Sequence, residues 1–99
     1  MKKLYCLIRN DLKPEHKAVQ GGHAIAQYFL DHQRCEWDNG TIIYLRVPDE
    51  ASLITWINKL NGLGHNCSHF IEEDLNKEYT ACCTILDTKL FSNLGLLKY

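Results

Sequence analysis

The apolar residues of this chain change their period as it runs, and that change restricts the fold more than any other feature. Residues 3–9, KLYCLIR, alternate at period two, with Leu4, Cys6 and Ile8 on one face. From Glu15 to Arg34 the spacing becomes helical, with Val19, His23, Ala26, Phe29 and Leu30 on one stripe. TIIYLRV (41–47) is rich in β-branched residues and predicts a second strand. A second helix begins after Pro48, with Asp49 as its N-cap and Leu53, Trp56, Ile57, Leu60 and Leu63 as its apolar face. Gly62 and Gly64 end it. CSHFI (67–71) and YTACCTIL (79–86) predict the third and fourth strands. The order β-α-β-α-β-β specifies a layered α/β domain, because each β-α-β crossover lays a helix on a sheet expected to be mostly parallel.

With 99 residues there is length for one domain and one modest core. Turn chemistry separates the elements: NDLKP after the first strand, and Asn39-Gly40 within the loop 36–41. The tail from residue 88 carries Leu90, Phe91, Leu94, Leu96 and Leu97, too apolar to stay in water, and is expected to pack on the domain or on a second subunit. No apolar run approaches the roughly 18 residues of a membrane span, so no membrane association is expected. Five cysteines without a secretion signal or a C-x-x-C pair suggest reduced thiols in a cytoplasm. Cys6, Cys82 and Cys83 read as small buried hydrophobes. The net charge of −1 argues against a footprint over many phosphates and leaves room for a short or single-nucleotide ligand.

The chemistry concentrates in EHKAVQGGHA (15–24). Residues three, four and seven apart share a helix face, which aligns His16, Gln20, His23 and Gln27, with Lys17 beside them and Asp11 in the turn leading in. The N-terminus of this helix supplies free N–H groups and partial positive charge at the carboxyl edge of the sheet, where α/β folds bind ligands. Two adjacent glycines weaken a helix by up to about 1 kcal/mol each, so Gly21 and Gly22 are expected to admit close backbone approach. Taken alone, His23 on an apolar stripe is as readily a buried histidine bonded to a carbonyl, and His16 and Lys17 at a helix start are ordinarily solvated. His65, Cys67 and His69 alternate on one strand face and EEDL (72–75) gathers carboxylates, but neither has the spacing of a known metal module, and no metal or other cofactor is expected.

The segments RNDL (9–12) and AVQGGHA (18–24) resemble the R-x-D-L and A-A-Q-x-x-H-A motifs of the type-2 peptidyl-tRNA hydrolase family. Weaker echoes are Trp37 with Gly40, the DE..L that opens the second helix, and the acidic turn ending at Asp74; together the resemblance spans residues 3–86. It implies a three-layer α/β/α sandwich with a four-stranded mixed sheet, a homodimer, and metal-independent hydrolysis of the ester joining a peptide to the tRNA 3′ end. It implies site roles for Asp11, Gln20, His23 and Asp74. Where relatives carry lysine this chain has His16, with Lys17 next to it, and LNKEYTACCT replaces a glycine- and threonine-rich stretch, leaving Thr80 and Thr84 as its hydroxyls. FIEEDL and the apolar tail bring the chain closer to a shorter branch found in bacteria and phages.

Three functions follow as expectations. In the first, Asp74 or His16 activates water on peptidyl-tRNA, Lys17 and helix N–H groups hold the oxyanion, and Gln20 and His23 orient the site. The ligand-binding set is then Asp11, Gln20, Gly21 and Thr80. In the second, the same cleft binds, sequesters or cleaves a small nucleotide signal, such as a cyclic dinucleotide or an ADP-ribose derivative. Its phosphate would sit at the helix N-terminus, and Tyr5, Trp37 or Tyr79 would stack on a base. The third is a non-catalytic interaction module that docks through the tail.

Overall fold

The computed structural model describes residues 2–33, 37, 40–73, 76–87 and 89–97. Its elements are β1 (Lys3–Arg9), α1 (Pro14–Asp31), β2 (Ile42–Val47), α2 (Glu50–Gly62), β3 (Cys67–Glu72) and β4 (Glu78–Leu86). They follow the order β-α-β-α-β-β that the periodicity predicts. The four strands form one sheet in the order β2-β1-β4-β3. The β1–β2 pair is parallel, with Leu7 opposite Leu45, while β1–β4 and β3–β4 are antiparallel. The sheet is therefore mixed rather than mostly parallel. A crossover helix lets β2 return parallel to β1, whereas the short connection after β3 forces a hairpin. In that hairpin Asn76 and Lys77 both adopt left-handed backbone, at φ 56° and 59°, a conformation whose twist suits tight antiparallel returns.

Two cores lie on opposite sides of the sheet, which makes the domain an α/β/α sandwich. Leu4, Cys6, Ile8, Ala81 and Cys83 pack with Ala24 and Tyr28 of α1. Leu7, Leu45, Val47, Cys82 and Leu86 pack with Leu53, Ile57 and Leu60 of α2 and with Phe91 of the tail. β1 lies between two strands and beneath both helices, so its residues Cys6–Arg9 are all buried and its alternation gives way to a continuous run.

The stripe expected on α1 is not the buried one. Val19 is 53% exposed and Leu30 70%, His23 and Ala26 are exposed and Phe29 is half-buried, while Lys17, Gln20, Gly21, Ala24 and Tyr28 face the sheet. The cause is close helix–sheet approach. A Cβ added at Gly21 would come within 2.7 Å of Ile8 Cδ1 and 3.0 Å of Tyr44 Cε1, and the Gly21 carbonyl accepts the Cys6 thiol at 3.6 Å. Small residues at 21 and 24 outweigh the larger apolar ones in choosing the inward face. Gly22 meets nothing among the described residues, so close approach explains Gly21 only. α1 also stops at Asp31, short of the expected Arg34.

α2 starts as predicted, with the Ser52 N–H donating to Asp49 Oδ1 at 2.9 Å. Leu63 falls at its C-cap and is 56% exposed rather than part of the apolar face. The tail packs on its own domain. Phe91 meets Tyr5 and Trp56 edge-on at 5.0 and 5.1 Å. The Arg46 N–H donates to the Gly95 carbonyl and the Leu97 N–H to the Tyr44 carbonyl, so the tail covers the edge of β2. Cys6, Cys67, Cys82 and Cys83 are free thiols, and Cys35 lies outside the described residues. Among the described residues no helix is long and apolar enough to cross a membrane.

Candidate active site at the carboxyl edge of the sheet

β1, β2 and β3 point the same way and β4 opposes them, so three strands end where the fourth begins. Arg9, Val47, Glu72 and Glu78 therefore share one sheet edge with the N-termini of α1 and α2. In open α/β sheets this is the edge where ligands bind.

Arg9 organises the edge. It is buried at the end of β1 and chelates Asp11, donating from Nε to Oδ1 and from Nη2 to Oδ2, both at 2.9 Å. Its Nη1 donates to Glu78 Oε1 at 2.7 Å and to the Tyr79 carbonyl at 3.1 Å. Held this way, the Asp11 carboxyl stays below the usual carboxylate range, chiefly through the Arg9 hydrogen bonds. Asp11 is consequently a poor proton acceptor; it fixes Arg9 and the turn.

Lys17 is buried, not solvated, because it occupies the sheet-facing line of α1 that continues through Gly21, Ala24 and Tyr28. Its ammonium donates to Asn10 Oδ1 at 3.0 Å, which brings its charge to the loop after β1. Pro14 opens α1 and, among the described residues, no side chain caps the helix there. Gln20 joins the two later strands. Its Nε2 donates to Glu72 Oε2 at 2.7 Å, and its Oε1 accepts the Thr80 hydroxyl at 2.8 Å. Glu50, in the first turn of α2, accepts the Tyr79 N–H at 2.9 Å.

Of the residues expected from sequence, Asp11, Lys17, Gln20 and Thr80 come together here, with Gly21 seating the helix behind them. His16 is half-buried one residue from Lys17 and makes no side-chain hydrogen bond among the described residues. His23 is neither on the buried face nor in this network. It is exposed, with its ring stacked on Phe70 at 4.4 Å and 10° between planes. Asp74 lies outside the described residues. The rings suggested for base stacking are engaged within the fold: Tyr5 against Phe91, Tyr79 beside His69, and Trp37 beside Phe29 with its Nε1 donating to the Thr41 carbonyl. His65, Cys67 and His69 do not converge, and no group of three or more His, Cys, Asp or Glu among the described residues could hold a metal ion.

Arg9 and Asn10 stood out in the sequence only as part of RNDL and Glu72 only as part of EEDL, with no site role of their own, and Glu78 enters the site unannounced. The available signal was an arginine closing an apolar strand two residues before an aspartate, a pattern in which a buried charge needs a partner. Glu72 and Glu78 become neighbours of Gln20 and Arg9 only once β4 lies between β1 and β3.

No family model matches this chain, and neither does any curated protein. Among solved structures, a protein of unknown function from Agrobacterium tumefaciens strain C58 is similar in fold, with a TM-score of 0.72 over 98% of each chain and 12% sequence identity. That likeness is one of architecture.

Proposed function

We propose that this chain hydrolyses the ester joining a peptide to the 3′ end of tRNA, at the carboxyl edge of the sheet. The observation that carries the reading is the meeting of the RNDL turn and the first two turns of α1 at the buried Lys17, with Thr80 tied to Gln20 on the same helix. His16 accepts a proton from water as the water oxygen attacks the ester carbonyl carbon. Lys17 and the uncapped N-terminus of α1 stabilise the charge that develops on the carbonyl oxygen. The tetrahedral intermediate then collapses, and the proton held on His16 goes to the departing 3′ oxygen. Gln20 keeps α1 in register with β3 and β4, and exposed His23 with Phe70 forms a ring platform beside the site.

The charge of the edge favours an ester over a phosphate as the group that meets it. Arg9 and Lys17 stand among Asp11, Glu50, Glu72 and Glu78 in the described residues, an acidic balance that repels phosphate. The protein acts in the cytoplasm, a reducing compartment suited to its free thiols, and works as a homodimer.

The test sets N-acetyl-aminoacyl-tRNA beside a panel of linear and cyclic nucleotides, reading peptide release and thermal shift in parallel. Release by the wild type that falls sharply in His16→Ala supports the reading. A large thermal shift with one nucleotide and no ester cleavage overturns it in favour of capture of a small nucleotide signal.

A further inference from the structure

We propose that the groove between the C-terminal tail and the carboxyl end of β2 is a binding site for an adenine nucleotide. The groove holds about 330 Å³ and is bounded by Asn10, Arg46, Val47, Pro48, Asn93 and Leu94. That size lies at the lower end of the range for small-ligand sites.

Its chemistry differs from that of the neighbouring edge. Arg9 is neutralised by Asp11 and Glu78, but among the described residues no carboxylate lines this groove. Arg46 Nη1 donates to the Leu96 carbonyl at 2.7 Å, and the guanidinium lies so close over Gly95 that a Cβ there would come within 2.6 Å of its Cζ. The tail thus fixes the guanidinium plane while Nη2 makes no hydrogen bond to any described residue. A pre-positioned planar cation is suited to a phosphate oxygen or to the face of a base. Asn93 adds an amide group of the kind that pairs with the N6/N7 edge of adenine, and Pro48 and Leu94 supply apolar walls for a flat ring.

Asn10 belongs to both places, since it lines the groove and its Oδ1 receives the Lys17 ammonium. A nucleotide seated in the groove with its base on Asn93 would therefore reach, on the Asn10 side, the loop that holds Lys17. Resting on the function proposed above, the occupant is the terminal adenosine of the tRNA: the acidic edge meets the ester and the groove beside Arg46 meets the nucleotide.

The experiment titrates AMP, UMP and ribose 5-phosphate into isotope-labelled full-length protein and follows the backbone amide signals. Saturable AMP shifts centred on Asn10, Arg46 and Asn93–Gly95 are expected, with UMP binding more weakly. Asn93 is exposed and makes no hydrogen bond among the described residues, so Asn93→Ala should leave the fold intact while weakening AMP about tenfold. Arg46→Ala should weaken all three ligands. Shifts centred elsewhere, equal affinity for AMP and ribose 5-phosphate, or an Asn93→Ala variant that binds AMP as the wild type does would overturn the site. Wild-type protein that binds AMP in the groove yet releases no peptide from N-acetyl-aminoacyl-tRNA leaves the groove standing and removes the hydrolase reading.

Discussion

Replacing each glycine of the Gly21-Gly22 pair by alanine separates helix propensity from helix seating. Both positions lie in the interior of α1, so either substitution gains about 1 kcal/mol of intrinsic helix stability. At Gly22 the new methyl meets no described atom, and the gain should appear in full. At Gly21 it meets Ile8 Cδ1 at 2.7 Å and Tyr44 Cε1 at 3.0 Å. Ile8 is fully buried in the sheet core, so its terminal methyl has little room to turn aside. Overpacking of this kind costs about 1–3 kcal/mol. The propensity gain is common to both variants, so the difference between them isolates the steric penalty of about 1–3 kcal/mol. For a domain of this size that corresponds to a melting gap of about 4 °C or more, with Gly22→Ala above the wild type and Gly21→Ala below Gly22→Ala. Urea denaturation with an unchanged m-value would establish that the folded state is what moved. Equal stability for the two variants would refute the close seating of α1 that brings Lys17 and Gln20 to the sheet edge.

Three further outcomes follow from the same geometry. Thr80→Val removes the hydroxyl that Gln20 Oε1 accepts while keeping the buried volume, and should destabilise by about 1–3 kcal/mol in denaturant melts; no loss would mean that the Gln20–Thr80 bond is not formed. Asp11 has its folded pKa below its unfolded value near 3.9, so its pairing with Arg9 stabilises fully above that pH and is lost as pH falls through the folded value. The stability gap between wild type and Asp11→Asn should therefore be constant from neutral pH down to about 5 and shrink below about 4; a gap that ignores acid would rule the pairing out. Burial pushes the Cys6 thiol up to about 12, and the hydrogen bond to Cys67 together with burial raises Cys82, while Cys67 itself is lowered. Alkylation of the native protein near pH 8 should mark Cys67 before Cys6, Cys82 or Cys83, and early labelling of Cys6 would contradict the packing of α1 on β1.

The elements and their order were legible because each has a clear period and clear punctuation: KLYCLIR alternates, Asp49 caps, and Gly62 and Gly64 close a helix. The inward face of α1 was not. Hydropathy favoured Val19 and Leu30, whereas closeness of approach selected Gly21 and Ala24 and carried Lys17 inward with them. The mixed sheet was implied by the family resemblance and not by the periodicity, since the strand order depends on where the β3–β4 hairpin inserts, a long-range choice that no local pattern encodes. Within the site, Asp11, Lys17, Gln20 and Thr80 could be named from sequence, but Arg9 as its organiser and the tail-walled groove required the packed chain. Nothing in the spacing of His23 distinguished a ring exposed on Phe70 from one in the site.

The proposed ester hydrolysis places Lys17 at the reacting centre. Single-turnover peptide release from N-acetyl-aminoacyl-tRNA tests it most directly, comparing the wild type with Lys17→Met after circular dichroism has established that the variant is folded. Loss of a preorganised charge beside the oxyanion should slow release by about 100- to 1,000-fold. A folded Lys17→Met protein that releases peptide at the wild-type rate would contradict the claim.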